Sequence, residues 1–515
     1  MHPNILVFLS DDHAQWAAGA YGNQEIQTPT LDHLARTGVR FDNAFTNSPV
    51  CSPARASFFT GRIPSQHGVH DYLGNADPDP GAPEWLRGER LLPEILKEHG
   101  YVTGLSGKWH LGDDAAPARG FDFWYSRGAA VSEADGYESP WPRRADVEQA
   151  YDHHAITTHA LEFLENRPRD RPFFLVVGHI ATHSPWSRGL ERLVSRYRGC
   201  AFTDIPDDIT YPFGRLRSES LYPSRREPSE ALAQYYASVT EIDEQVGRLL
   251  DSLASTGAAE NTAVVYTSDH GLNTGHHGIW GKGNGTLPYN VVEESIRIPL
   301  IVRFPGGALG GQRRAEPVTH VDTFQTILDL TGAACPSDRD TPYPGRSYAP
   351  LLVSAPDPGR DDAVFVEYGT LRAVRLGDLK LVRRYPEGPD ELFDLVRDPR
   401  ETRNAIHDPQ HHEAVAALTA RLEEYFARYE VPEHRGVDAR LQPRHNRDEA
   451  WRDDGTIRLE ESAEWLDRLE QRAQDRRARV GAGAVEHAGP HPHARGDDAF
   501  AESARVRYPL SEACE

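Results

Sequence analysis

The sequence predicts an α/β protein: a large, mostly parallel β-sheet sandwiched by helices, followed by a smaller antiparallel sheet with a helix. Three observations predict it. Apolar runs of strand length alternate with helical patterns through the first two thirds of the chain, a polar Pro/Gly stretch around 356–360 breaks that alternation, and the segments beyond it are short and extended. A chain of 515 residues has room for two or three domains and a sizeable buried core.

The strand candidates are 4–10, 101–105, 173–179, 263–268 and 298–304, and their apolar character suits strands covered on both faces. Helical spacing marks 29–37, 91–98, 156–166, 230–254 and 321–330. A sheet wound in this way carries its polar site at the carboxyl ends of its strands. After the break, 363–368, 371–376 and 379–384 read as antiparallel strands and 413–428 as the helix that packs on them. The expected units are therefore 1–360, 361–430 and a charged tail, 431–515. Within the tail, Leu459, Trp465, Leu466, Leu469 and Ala473 fall at helical spacing, as an oligomerisation arm or a solvated helix would, and nothing in the His/Gly/Pro-rich run 482–495 fixes a metal geometry.

Composition narrows the function. A net charge of −22 repels nucleic acid and anionic lipid over most of the molecule, so neither is an expected partner. No apolar run approaches the roughly 18 residues of a spanning helix. The start, Met1-His2-Pro3-Asn4, runs straight into the first strand with no basic leader or cleavage site, which reads as a cytoplasmic protein. Cys51, Cys200, Cys335 and Cys514 show neither paired nor zinc-type spacing, as expected of reduced thiols. The 56 basic residues include only four lysines, Lys97, Lys108, Lys282 and Lys380. Against that bias, a lysine inside a polar motif marks a task that arginine, which does not titrate, cannot perform.

The first strand ends in Asp11-Asp12 and the strand at 263–268 ends in Asp269-His270, so two strand ends of one sheet bring three carboxylates and an imidazole together. Oxygen-rich ligation favours Ca²⁺ or Mg²⁺, and the imidazole admits Mn²⁺. Between them lies Cys51-Ser52-Pro53-Ala54-Arg55, closed by Thr60-Gly61-Arg62. A proline two residues after the cysteine places Cys51 at a helix N-terminus, where anions are stabilised, with Arg55 one turn on and on the same side.

This Cys-x-Pro-x-Arg segment with its Thr-Gly-Arg close resembles the signature of the formylglycine-dependent sulfatases of the alkaline-phosphatase-like superfamily. Gly107-Lys108-Trp109-His110-Leu111-Gly112, Thr182-His183-Ser184-Pro185, Ser268-Asp269-His270-Gly271, Gly278-Ile279-Trp280-Gly281-Lys282 and Leu392-Phe393-Asp394-Leu395 with Asp398-Pro399 and Asn404 resemble further segments of that family, in its order. The resemblance implies that a formylglycine-generating enzyme oxidises Cys51 to Cα-formylglycine. One hydroxyl of the hydrated aldehyde attacks the sulfur of a small sulfated substrate, and the other then expels sulfate. It further implies one divalent cation, Ca²⁺ first, held by Asp11, Asp12, Asp269, His270 and residue 51. Arg55 and Lys108 orient the nucleophile, His110 is the base for sulfate expulsion, and His183 and Lys282 lie on the leaving-group side. The expected substrate is a sulfated sugar or an aryl sulfate. A phosphonate monoester or phosphodiester hydrolase of the same superfamily is the alternative, opposed by Lys108 and His110, and a non-catalytic binding protein on the same fold is the other. Trp16, Trp109, Trp186 and Trp280 flank these segments as stacking platforms or as core. The long insertion 188–226 is placed to overhang the site. His179 is expected to be structural, and His276 and His277 to lie on the polar surface or to reach the rim of the pocket.

Overall fold

The computed structural model describes residues 2–452 apart from 75–83, 115, 127–151, 188, 207–214, 218–223, 225–226, 306–309, 338–340, 354–359 and 447–448. Its organisation follows from the first strand, β1 (Asn4–Ser10). Ile5, Val7 and Leu9 enter one hydrophobic cluster and Leu6 and Phe8 another, the alternation that a strand buried on both faces imposes. Each such side chain taken out of water stabilises the fold by about 1.5–3 kcal/mol before entropy is subtracted.

The other strands of the main sheet are β2 (Val39–Phe41), β3 (Val102–Gly107), β4 (Phe123–Tyr125), β5 (Phe173–Gly178), β6 (Thr262–Ser268), β7 (Leu300–Arg303) and β8 (Gln312–Arg314). They lie in the order β8-β2-β7-β6-β1-β5-β3-β4. Only β7 runs against its neighbours, β2 and β6. The sequence placed this segment among the parallel strands. Between β6 and β7 the only α-helix is the single turn Glu293–Ile296, too short to carry the chain back to the other end of the sheet, so Leu300 pairs with Thr267 at the end where β6 stopped and the new strand must reverse.

Helices cover both faces. Along the chain they are α1 (Pro29–Thr37), α2 (Cys51–Thr60), α3 (Leu92–Glu98), α4 (Asp152–Asn166), α5 (Pro228–Ser255) and α6 (His320–Thr331). The apolar stripes of α1, α4 and α5 join the cluster of Leu6 and Phe8, while α2, α3 and α6 join that of Ile5 and Val7. All ten residues of α2 are buried, so the helix that carries Cys51 is held from every side. Gly61 ends it at φ +69, where an added Cβ would sit 2.3 Å from Phe324 Cδ1 on α6. Gly61→Ala therefore combines a left-handed backbone with overpacking and is expected to cost about 3 kcal/mol. The measurement is the urea midpoint, and an unchanged midpoint would contradict this contact.

The second sheet is antiparallel: β9 (Ala363–Tyr368), β10 (Leu371–Leu376), β11 (Leu379–Arg384) and β12 (Glu391–Asp394), in that order. Helix α7 (His412–Tyr429) covers one face through Leu418, Leu422 and Phe426. The other face, with Val364, Val366, Tyr368 and Val382, packs on Phe45, Val50, Tyr289 and Val291 of the main domain. Packing continues past Val431, where the charged tail with its candidate helix was expected to begin. Short 3₁₀ turns at Pro432–His434, Gly436–Leu441 and Ala450–Arg452 bring Ala439, His445 and Trp451 into buried positions. The candidate arm at 459–473 and the run 482–495 lie outside the described residues.

Candidate active site

Four adjacent strands, β6, β1, β5 and β3, end together and deliver the polar residues of the site. Asp11 and Asp12 leave β1, Asp269 and His270 leave β6, Lys108 leaves β3, and His183 follows β5 within one short turn. Asp12 (φ +59) and His110 (φ +60) adopt a left-handed backbone that non-glycine residues seldom take, as occurs where a site dictates side-chain direction.

Cys51 is the first residue of α2 and its thiol is the point of convergence. Lys282 Nζ approaches Sγ at 3.0 Å, His270 Nε2 at 3.3 Å and Asp11 Oδ1 at 3.5 Å. Lys108 Nζ donates to Asp11 Oδ2 at 2.6 Å and Lys282 Nζ to Asp12 Oδ1 at 2.6 Å. Arg55, fully buried, donates from Nε to Asp269 Oδ2 at 3.0 Å and from Nη1 to the Lys108 carbonyl at 2.9 Å. Its Nη2 has no hydrogen-bond partner among the described residues and faces Asp11 Oδ1 at 4.0 Å. Burial pushes the Cys51 thiol up, but Lys108, Lys282 and His270 outweigh it and hold the group well below its ordinary value. The site is built to carry a negative charge at residue 51.

The imidazoles are fixed by carbonyls. His270 Nδ1 donates to the Gly271 carbonyl at 2.8 Å, which turns Nε2 toward Asp12 Oδ1 at 3.2 Å and Asp269 Oδ1 at 3.6 Å; against burial, Asp269 raises this imidazole to about 9 in the cation-free protein, and a bound cation would take the place of the Nε2 proton. An imidazole nitrogen among carboxylate oxygens is a ligand set, and Asp11, Cys51, Asp269 and His270 each present a ligand atom within 4.8 Å of the others. Asp12 completes the set through the oxygen beside His270. Three carboxylates and one imidazole fit a hard divalent cation. His110 Nε2 donates to the Leu73 carbonyl at 3.0 Å, so Nδ1 holds the lone pair, buried and without a hydrogen-bond partner among the described residues. Burial and then Lys108 lower His110, which keeps it an unprotonated base at neutral pH. His183 donates from Nδ1 to the Ser184 carbonyl at 2.7 Å and turns Nε2 toward Asp12 Oδ2 at 4.0 Å. Burial opposes its charge, yet Asp12 and Asp11 raise it above the ordinary histidine value, as suits an acid.

The ten residues anticipated for the site, Asp11, Asp12, Cys51, Arg55, Lys108, His110, His183, Asp269, His270 and Lys282, come together around the Cys51 side chain. His179 is structural as expected: its carbonyl accepts from Asp11 N and its ring meets Thr157 Oγ1 at 3.0 Å. His276 and His277 are buried, not on the surface, because His277 pairs with Glu294 at 3.0 Å and His276 lies against Trp16. The tryptophans are largely core. Trp109 packs among Phe59, Phe121 and Trp124, Trp186 and Trp280 pack against each other, and Trp16 is half-buried beside Tyr235. Of the insertion 188–226, the described part includes a helix, Glu191–Tyr197, docked on α5. Sequence reasoning missed the supports behind the site: the Leu73 carbonyl, His320 Nε2 donating to the Asp269 carbonyl at 2.8 Å, and Asn290 beneath Lys282. Carbonyl partners leave no trace in side-chain identity.

A thiol at a helix N-terminus, set between cations and a carboxylate-rich pocket on an alkaline-phosphatase-like fold, is an arrangement suited to a hydrolase of anionic esters. Comparison with known families is more specific. Residues 3–333 match the Sulfatase family and residues 275–428 match the family described as N-sulphoglucosamine sulphohydrolase, C-terminal. The chain belongs to the sulfatase family and is a sulfuric ester hydrolase. It is 27% identical over 507 residues to the N-acetylglucosamine-6-O-sulfatase of Bacteroides thetaiotaomicron, covering 83% of this chain and 87% of that one. A solved structure in complex with its substrate D-glucosamine-2-N,6-O-disulfate superposes with a TM-score of 0.67 at 26% identity, over 83% of this chain and 98% of that one. The phosphonate monoester hydrolase of Agrobacterium radiobacter shares the fold, with a TM-score of 0.63 at 21% identity over 82% and 95% of the two chains.

Proposed function

We propose that this chain hydrolyses the sulfate monoester of a small sulfated sugar, or an aryl sulfate, to an alcohol and inorganic sulfate, using a formylglycine made from Cys51. In this reading Asp11, Asp12, Asp269 and His270 hold one divalent cation, Ca²⁺ before Mg²⁺ or Mn²⁺. The observation that carries it is the Cys51 thiol held within 3.5 Å of Lys282, His270 and Asp11 at the start of a buried helix. The sugar substrate rests on the relative that acts on N-acetylglucosamine-6-O-sulfate and on the structural neighbour that holds a glucosamine disulfate. Cys51 is 2% exposed, so the formylglycine-generating enzyme acts on the chain before it folds.

Matured residue 51 supplies a hydrated aldehyde as nucleophile, and the cation, when bound, lowers its pKa and neutralises charge on a sulfate oxygen. The protein's own residues do the rest. Arg55 Nη2 and Lys108 Nζ orient oxygens at position 51, and the approach of anionic sulfate to a carboxylate pocket relies on Arg55, Lys108 and Lys282. Lys282, raised well above its ordinary value because Asp12 and Cys51 outweigh its burial, stays an ammonium and protonates the departing alcohol together with His183. His110, neutral and oriented by Leu73, takes the proton that starts sulfate release.

The first test compares initial rates of the matured protein on an aryl sulfate and on the matching aryl phosphonate. Sulfate preference is expected, and phosphonate preference would replace this reading with the alternative. Lys282→Ala is expected to slow alkyl or sugar sulfates by about 10²-fold or more and activated nitrophenyl sulfate much less, since only a poor leaving group needs full proton donation. Equal losses would remove Lys282 from that role.

A further inference from the structure

We propose that Asn290 is a positioning residue for Lys282, and that the C-terminal sheet acts on the reaction through it. The proposal rests on Lys282 being the acid for the leaving alcohol. Lys282 lies in Gly281-Lys282-Gly283-Asn284-Gly285, a segment whose glycines give it little rigidity of its own, with Gly281 at φ +140. Its ammonium must nevertheless stay within about 1 Å of one place, because larger misplacement costs on the order of 10²-fold in rate.

Asn290 supplies that constraint. Its Nδ2 faces the carbonyls of Lys282 at 3.1 Å and Gly283 at 3.2 Å and Thr286 Oγ1 at 3.0 Å, and its backbone N–H donates to the Gly283 carbonyl at 3.0 Å. The carboxamide is held in turn. Ser295 Oγ donates to Asn290 Oδ1 at 2.9 Å and accepts from Asn273 Nδ2 at 2.8 Å, and the Ser295 carbonyl accepts from Gly271 N at 3.0 Å. Gly271 also receives the His270 Nδ1–H, so one buried network sets the backbone of the metal-binding histidine and that of the lysine against each other.

The residues flanking Asn290 are clamped from outside the main domain. On β11 of the C-terminal sheet, Arg384 Nη2 donates to the Tyr289 carbonyl at 2.8 Å and Lys380 Nζ to the Val291 carbonyl at 2.7 Å. Lys380 is 1% exposed and pairs with Glu293 at 3.1 Å and with Glu401. The Glu401 carboxylate accepts from Glu293 N at 2.7 Å. Two cations from one strand thus fix the carbonyls on either side of Asn290, and its side chain passes that placement to Lys282. This gives Lys380, outside the segments that carry the site residues, a reason for being one of four lysines.

The test is a double-mutant cycle with Asn290→Ala and Lys282→Ala, read as kcat and KM on sulfates whose leaving alcohols run from nitrophenol to an alkyl alcohol. Asn290→Ala is expected to lower kcat about 10-fold for the alkyl ester and about 2-fold or less for the nitrophenyl ester, with KM little changed. In the Lys282→Ala background it is expected to add almost nothing. Additive losses, or a change confined to KM, would overturn the positioning role. Non-additive losses equal on all esters would keep the positioning and instead refute proton donation by Lys282. If Asn290→Ala does not fold, Ser295→Ala removes only the hydroxyl that orients the carboxamide, and the same cycle decides the question.

Discussion

Cys51→Ala lowers turnover of a preferred sulfate ester by on the order of 10⁵-fold or more while leaving the melting temperature close to that of the unaltered chain. The size follows from removing the atom on which the nucleophile is built, a loss that neighbouring groups cannot replace when they act as a unit. The intact fold follows from what Sγ touches. Its neighbours are Lys282, His270 and Asp11, which retain partners of their own in Asp12, Gly271 and Lys108. No apolar packing depends on the sulfur, and alanine suits the first turn of α2. The paired measurement is rate and melting temperature on one preparation. Residual turnover within about 10²-fold of wild type would place the nucleophile elsewhere.

Much of this was legible because the site is made of strand ends. Once 4–10 and 263–268 are taken as parallel strands, Asp11-Asp12 and Asp269-His270 must meet at one edge, and the structure pairs Ser10 with Ser268 in register. Pro53 announced the start of α2 in the same way, since proline is tolerated only in a first turn. The scarcity of lysine pointed independently at Lys108 and Lys282, and both ammonium groups lie against the aspartates of β1.

What was not legible is what long-range packing decides. The reversal of β7 depends on which end of β6 the returning chain meets, and apolar spacing is the same for either direction. His276 and His277 look like surface in a Gly/His-rich segment, whereas the carboxylate of Glu294, seventeen residues past His277, holds one and the ring of Trp16 lies against the other. The scarcity of lysine marks only those inside polar motifs, and Lys380 lies in a strand between two leucines. Its meaning stayed hidden because Glu293 and Glu401, 87 and 21 residues away, are neighbours only in space. The segment after Val431 looked like tail because charge dominates it, whereas three well-spaced side chains, Ala439, His445 and Trp451, hold it down.

Asp269→Asn separates charge from shape at the floor of the site, and is expected to lower turnover by about 10³-fold or more. The carboxylate accepts from Arg55 Nε at 3.0 Å, Asp12 N at 3.2 Å and His270 N at 2.9 Å. Alanine would strand the buried Arg55 guanidinium at a cost of about 3–5 kcal/mol, so loss of activity there mixes unfolding with chemistry. Asparagine keeps the shape and one acceptor oxygen, enough for either Arg55 or the two backbone N–H groups, while it removes the charge and turns the second acceptor into a donor. A readout independent of activity is the shift in melting temperature with added Ca²⁺: at 100 times its Kd a cation bound only to the folded chain contributes about 2.7 kcal/mol. That shift is expected in the wild type and strongly reduced in Asp269→Asn. It also carries a pH dependence of known sign. Burial, opposed by His270 and Arg55, raises Asp269 above the ordinary carboxylate value in the cation-free protein, so the folded chain retains this proton to higher pH than the unfolded one does. Its contribution to stability is therefore present at low pH and lost as pH rises, which is where a cation that requires the ionised carboxylate restores most. The Ca²⁺-induced shift should then grow from pH 5 to pH 7. A wild-type rate that survives exhaustive chelation, with no shift at either pH, would show that these three aspartates and His270 do not hold a metal.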